Sequence, residues 1–160
     1  MNCRRRGCWI LLFGTVLIIA MSGVWQRPAD EVLPTEPLPL LAAAECDSAQ
    51  AACVARGEGF ALELSLGPPV QPMQPFGIQL RILQGQLSSD ATVVLQFQMQ
   101  DMDMGQNRYR LIADEQSVWR GTAVLPVCSR GRSDWFAQID IQDGERRWSA
   151  ELPFTVIAQQ

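Results

Sequence analysis

The chain has 160 residues, which suits one domain and is short for two. Hydrophobic residues make up 48% and charged residues 19%, a balance that excludes a disordered acidic tail. All 13 basic residues are arginine, and the lack of histidine and lysine excludes histidine triads, histidine-ligated metals, a Walker A lysine and Schiff-base chemistry.

Arg4, Arg5 and Arg6 precede an uncharged stretch running from Gly7 to Gln26. Its core, Trp9 to Trp25, is about 25 Å long as a helix, close to a bilayer core of about 30 Å. A tryptophan stands at each end, where interfacial tryptophans belong. The pattern predicts one N-terminal transmembrane helix over 9–25, with residues 1–8 cytoplasmic and all that follows outside, because the arginines stay inside. The alternative is a cleaved signal peptide, but its best small-residue site, Ala42-Ala43-Ala44, lies far beyond the apolar run. From Arg27 onward 10 arginines face 17 acids, a balance of −7 that argues against nucleic acid. Residues 26–44 carry Pro28, Pro34, Pro37 and Pro39 and read as an extended, semi-rigid spacer.

In 45–160 the period becomes two. Phe60, Leu62, Leu64 and Leu66 alternate with polar or small residues, and so do Ile78, Leu80 and Ile82. Val93, Leu95, Phe97 and Met99 follow, then shorter candidates over 108–113 and 117–126. Trp135 to Ile141 and Trp148 to Val156 complete the set, with Pro153 expected at an edge or bulge. About seven antiparallel strands, each with one apolar face, predict an all-β, immunoglobulin-like sandwich. Gly67 to Gly77, with four prolines, reads as a stiff loop between the first two of these strands.

Alternate loops of such a sandwich gather at alternate ends. Loops 67–77, 101–107 and 127–133 then share one end, bringing together Met73, Met102, Met104 and Cys128. Cys46 and Cys53, which precede the first expected strand, would lie toward the other end. Met99 is in step with the apolar face, so a strand continuing past it would aim Asp101 and Asp103 into the core. Buried unpaired carboxylates are costly, and the strand is expected to stop or bulge near Gln100. Met102 and Met104 then sit at a rim. Two thioethers beside a thiolate suit Cu(I), and such a site needs no histidine. The competing reading has these methionines plugging the open end of the sandwich. A Ca²⁺ site over Asp101 and Asp103 is a weak signal, because the rest of a twelve-residue loop is missing.

Three cysteines lie in the exported part, an odd number. Cys46 and Cys53 are expected to bridge, leaving Cys128 as ligand, redox thiol or buried side chain. Pairing Cys128 with either of the others would remove the metal site. As a nucleophile Cys128 lacks a histidine base, though Arg130 and Arg132 stand close in sequence. The expectation is therefore that the protein is no enzyme.

The blocks Met102-Asp-Met-Gly-Gln-Asn-Arg108 and Leu125-Pro-Val-Cys128, followed by Gly131-Arg132 and Trp135, resemble a group of proteobacterial membrane-anchored periplasmic proteins. The single anchor plus small β-sandwich is more loosely similar to the FixH/YtkA-like family. That resemblance implies a single-pass inner-membrane protein with a periplasmic C-terminal domain. It further implies Cu(I) held by Met102, Met104 and Cys128, with a respiratory oxidase or a copper-handling protein as partner. The alternative function is a metal-free interaction module of the cell envelope, working through loops or an edge strand.

Overall fold

Successive side chains of a strand point to opposite faces, so a period-two apolar pattern builds sheets with one face inward. A computed structural model of the protein describes residues 36–105, 107–128 and 130–156. Nine strands follow one another: β1 Leu38–Ala42, β2 Cys53–Gly57, β3 Phe60–Leu66, β4 Pro75–Gln84 and β5 Thr92–Gln98, then β6 Arg108–Ala113, β7 Val118–Val124, β8 Asp134–Asp143 and β9 Arg146–Thr155. All seven expected strands are present, as β3 to β9. Their inward residues are those the alternation selects. In β5, Val93, Leu95 and Phe97 are fully buried, while Thr92, Val94, Gln96 and Gln98 are half-buried.

Two strands were not expected. β2 forms a hairpin with β3 across Glu58-Gly59, in register from Cys53 opposite Leu64 to Gly57 opposite Phe60. Its inward residues, Cys53 and Ala55, are too small to make a strong apolar signal. β1 lies in the stretch expected to be spacer, which corrects the 26–44 assignment. Leu40 is buried in the core of the domain. A strand containing Pro39 is tolerated because β1 needs few ladder bonds: it pairs with β9 in parallel over three residues and with β2 over two. The expected span 9–25, the N-terminal tail 1–8 and the first part of the spacer lie outside the described residues. Among the described residues no helix is long and apolar enough to cross a membrane.

The sheet closes on itself in the order β1-β2-β3-β4-β7-β6-β5-β8-β9. β6 turns the corner between its two halves, pairing with β5 through Arg108 to Leu111 and with β7 through Ile112 and Ala113. Where β6 has splayed from β7, the Tyr109 hydroxyl spans the gap. It donates to the Val124 carbonyl at 2.6 Å and lies 3.3 Å from the Val124 amide, which donates to it. Pro153 does sit at a local edge. β1 pairs with β9 only as far as Ala150, and the Pro153 carbonyl on that side accepts the Ser48 amide at 3.1 Å. The missing N–H of Pro153 therefore costs the ladder nothing.

The core is aromatic at both ends of the ring. Phe97 packs against Phe76, Tyr109 and Phe154 at centroid distances of 5.5, 5.8 and 5.6 Å, and Trp135 lies 6.3 Å from Phe154. At the other end Phe60 stacks on Trp148 at 4.3 Å, with the Arg146 guanidinium over the indole.

Candidate functional site at the sulfur-bearing loop end

Loops 67–74, 99–107 and 125–133 open at the same end of the ring, as the alternation of strand direction requires. Backbone and side-chain bonds tie them together. The Met73 amide donates to the Leu125 carbonyl at 2.9 Å, and Arg132 Nη1 donates to the Gln100 carbonyl at 2.9 Å. Cys46 and Cys53 form a disulfide, with their Cα atoms 5.6 Å apart. Its position corrects the sequence reading, which sent this pair to the far end. The β2–β3 hairpin reverses the chain, so Cys53 pairs with Leu64 near the end of β3 that leads into loop 67–74. Segment 43–52 therefore joins the same end. There the Ser48 carbonyl accepts the Leu66 amide, and the Ser48 amide reaches Pro153, so this segment links β3 to β9.

Loop 99–107 begins where the polarity argument placed the break. β5 ends at Gln98, Met99 is still buried, and Asp101 turns the chain with φ at 59°. The Met102 amide donates back to the Met99 carbonyl at 3.3 Å. Asp101 and Asp103 are thereby exposed to solvent instead of facing the core. Asp103 Oδ1 accepts the Gly105 amide at 2.8 Å, a local turn that shapes the loop. Asn107 accepts the Phe97 amide at 2.7 Å and donates to the Met104 carbonyl at 3.3 Å. Met102 and Met104 are half-buried and pack against the core.

A cleft of about 330 Å³ opens beside this loop, with Met73, Cys128, Arg132 and Trp135 among its walls. Cys128 is half-buried and, among the described residues, is the free cysteine. Met73 is 67% exposed and is held at a φ of 61°, a left-handed backbone that disfavours a side chain. Arg132 is fully engaged. Its Nε donates to Asp134 Oδ1 at 2.9 Å, its Nη2 pairs with Asp134 Oδ2, and its Nη1 holds Gln100. The Asp134 carboxylate pushes the Arg132 guanidinium above its ordinary pKa, and nearby Asp101 and Cys128 add to the effect. In return Arg132 holds the Asp134 carboxyl below the usual carboxylate range. Among the four expected site residues, the fold thus brings Met73 and Cys128 into one cleft. Met102 and Met104 stand on the neighbouring loop and do not line it.

Comparison of the chain with protein-family models, curated proteins and solved structures gives no match.

The residues of the two sequence blocks have definite structural duties. Asp103, Gly105 and Asn107 build loop 99–107, and Leu125 anchors loop 67–74 through the Met73 amide. Gly131 donates its amide to the Cys128 carbonyl at 3.1 Å and adopts a φ of 65°, while Trp135 fills the core. What these duties leave over is sulfur: Met73, Met102, Met104 and Cys128. Among the described residues no group of three or more cysteine, aspartate or glutamate side chains gathers into a metal site, so any site here depends on thioethers.

Sequence reasoning missed a second feature, the larger cleft of about 620 Å³ at the opposite end. Its walls include Arg81, Leu87, Gln116 and Trp119, contributed by strand ends and by the loops 85–91 and 114–117. Its signal was faint: a polar loop carrying one isolated leucine, and a tryptophan with no role in the alternation.

Proposed function

We propose that the chain is a membrane-anchored protein of the bacterial envelope whose periplasmic β-domain holds or passes Cu(I) at its loop end. Cys128 supplies a thiolate, and Met102 and Met104, with Met73, supply the thioethers. Soft Cu(I) prefers this donor set, and the absence of histidine removes the ligands that would favour Cu(II). The observation that carries the reading is the oxidation pattern. Cys46 and Cys53 consume each other, which leaves Cys128 free at the end of the domain where the two methionine-bearing loops open. The sequence resemblance to periplasmic proteins with the same two blocks points to the same residues. It also supports a role in respiratory oxidase assembly or copper handling, without catalysis by the chain itself.

The domain itself reads as an immunoglobulin-like sandwich with two added strands. The neighbour order β3-β4-β7-β6 and β5-β8-β9 repeats the ABED and CFG sheets of that class. β1 and β2 then close the remaining side.

A metal-free interaction module is favoured by one observation, the packing of Met102 and Met104 against the core. The exposed Met73 and Val127 would then belong to a docking rim. Cu(I) titration against a competing chelator separates the two. It uses the full chain in detergent, with Cys3→Ser and Cys8→Ser so that Cys128 is the sole free thiol, and ascorbate as reductant. Submicromolar binding that Cys128→Ser abolishes is expected. Wild-type binding weaker than micromolar, or binding unaffected by Cys128→Ser, sinks the copper reading.

A further inference from the structure

We infer that the first thioether partner of Cys128 is Met73, so that the soft-metal centre is a Cys–Met pair across the cleft between loops 67–74 and 125–133. This rests on the copper reading above and narrows it.

Three observations point to Met73. It is the methionine that lines the same cleft as Cys128; Met102 and Met104 are absent from those walls. It is 67% exposed, although a thioether that served only packing would be driven inward. Its backbone is held left-handed at φ 61° by the Met73 amide bond to Leu125, the first residue of the Leu-Pro-Val-Cys block. Loop 67–74 is thus locked in place relative to the segment that carries Cys128, at the cost of backbone strain that packing does not repay. The cleft is also suited to a cation of low charge. Arg132, the guanidinium on its wall, is paired with Asp134, which reduces its repulsion of the ion.

Binding is an exchange of proton for metal: Cys128 loses its thiol proton to solvent, sulfur bonds Cu(I), and Met73 adds a neutral thioether lone pair. No electron moves, provided copper arrives as Cu(I). Affinity therefore falls as pH drops.

The test compares Met73→Leu with the double variant Met102→Leu/Met104→Leu in the Cys3→Ser/Cys8→Ser chain. Loss of a ligand costs at least the roughly tenfold that loss of a supporting shell residue costs. Met73→Leu is expected to weaken Cu(I) binding by that factor or more, and by more than the double variant does. Met73 is exposed, so its replacement by leucine does not threaten folding; near-ultraviolet circular dichroism checks this. A second measurement uses Ag(I), a soft ion that needs no reductant. Ag(I) should protect Cys128 from alkylation in the wild type and much less in Met73→Leu. If the double variant loses binding and Met73→Leu keeps it, the Met73 assignment is overturned while the copper reading stands. If the wild type binds no Cu(I), or Cys128→Ser leaves binding unchanged, the copper reading falls and the Met73 assignment falls with it.

Discussion

The two ends of the ring are built differently. At one end tight two-residue turns, Glu58-Gly59 and Gly144-Glu145, join neighbouring strands, and the larger cleft lies between two polar loops. At the other end four longer segments, 43–52, 67–74, 99–107 and 125–133, are cross-tied by a disulfide, an arginine clamp and backbone bonds. Cavity size alone would favour the first end. Chemistry favours the second, because the free thiol and the methionines gather there, at loops that a rigid wall of strands holds in position. Volume measures room; donor atoms decide what can occupy it.

Substitutions at the two ends test that contrast. The largest effect is expected from Trp135→Ala, which removes a buried indole from beneath the loop end and should cost about 4 kcal/mol in chemical denaturation. If the loop end were a loosely attached appendage, the cost would be far smaller. Gly85→Ala and Gly131→Ala probe the two ends in the same way. A methyl at Gly85, where φ is 89°, would stand 2.6 Å from a ring carbon of Phe60, which is stacked on Trp148 and cannot swing away. Backbone strain and overpacking together should cost about 3 kcal/mol. A methyl at Gly131 meets nothing within 4 Å, so backbone strain alone, about 1 kcal/mol, is expected. Equal costs would show that loop 125–133 is packed as tightly as the turn end.

Next comes the disulfide. Replacing Cys46 and Cys53 by serine releases a closure over a sequence separation of 7. By loop entropy this should lower stability by about 2.5 kcal/mol. The smallest effect concerns acid. Asp134, Asp143 and Asp114 are all held below the ordinary carboxylate range: Asp134 by Arg132, Asp143 chiefly by the Ser88 hydroxyl at 2.5 Å, and Asp114 chiefly by Arg120. Their stabilisation is complete above the usual carboxylate pKa of about 3.9 and is lost as pH falls through the lower folded values. Thermal melts from pH 7 down to pH 2 should therefore steepen below about pH 4. Asp143→Asn, at a buried site of the turn end, should flatten that limb more than Asp134→Asn at the exposed loop end. The reverse order would place the acid-sensitive contacts among the loops.

Strands β3, β4, β5, β8 and β9 were legible because each carries apolar side chains at every second position, and a one-residue slip would expose the whole set; β6 and β7 gave only short candidates. The break after Gln98 was legible for a related reason, since the alternation would otherwise bury Asp101 and Asp103. β1 and β2 were not. Cys53, Ala55 and a proline-bearing pentapeptide produce almost no periodic signal, and only their neighbours β3 and β9 make strands of them. Missing that hairpin misplaced Cys46 and Cys53, because one extra reversal of the chain exchanges the two ends.

Local chemistry determined a good deal by itself: the all-β class, the exclusion of histidine and lysine chemistry, and the expectation, with one rival pairing, that Cys46 bridges Cys53. These follow from side-chain type and period, which act within a few residues of sequence. Only the tertiary structure decided that the sheet closes into a ring, that the disulfide joins the sulfur-bearing end, and that Met73 shares a cleft with Cys128 while Met102 and Met104 do not line it. Those outcomes depend on strand pairing and on Arg132 reaching across to Gln100, contacts between residues far apart in the chain that no local pattern encodes.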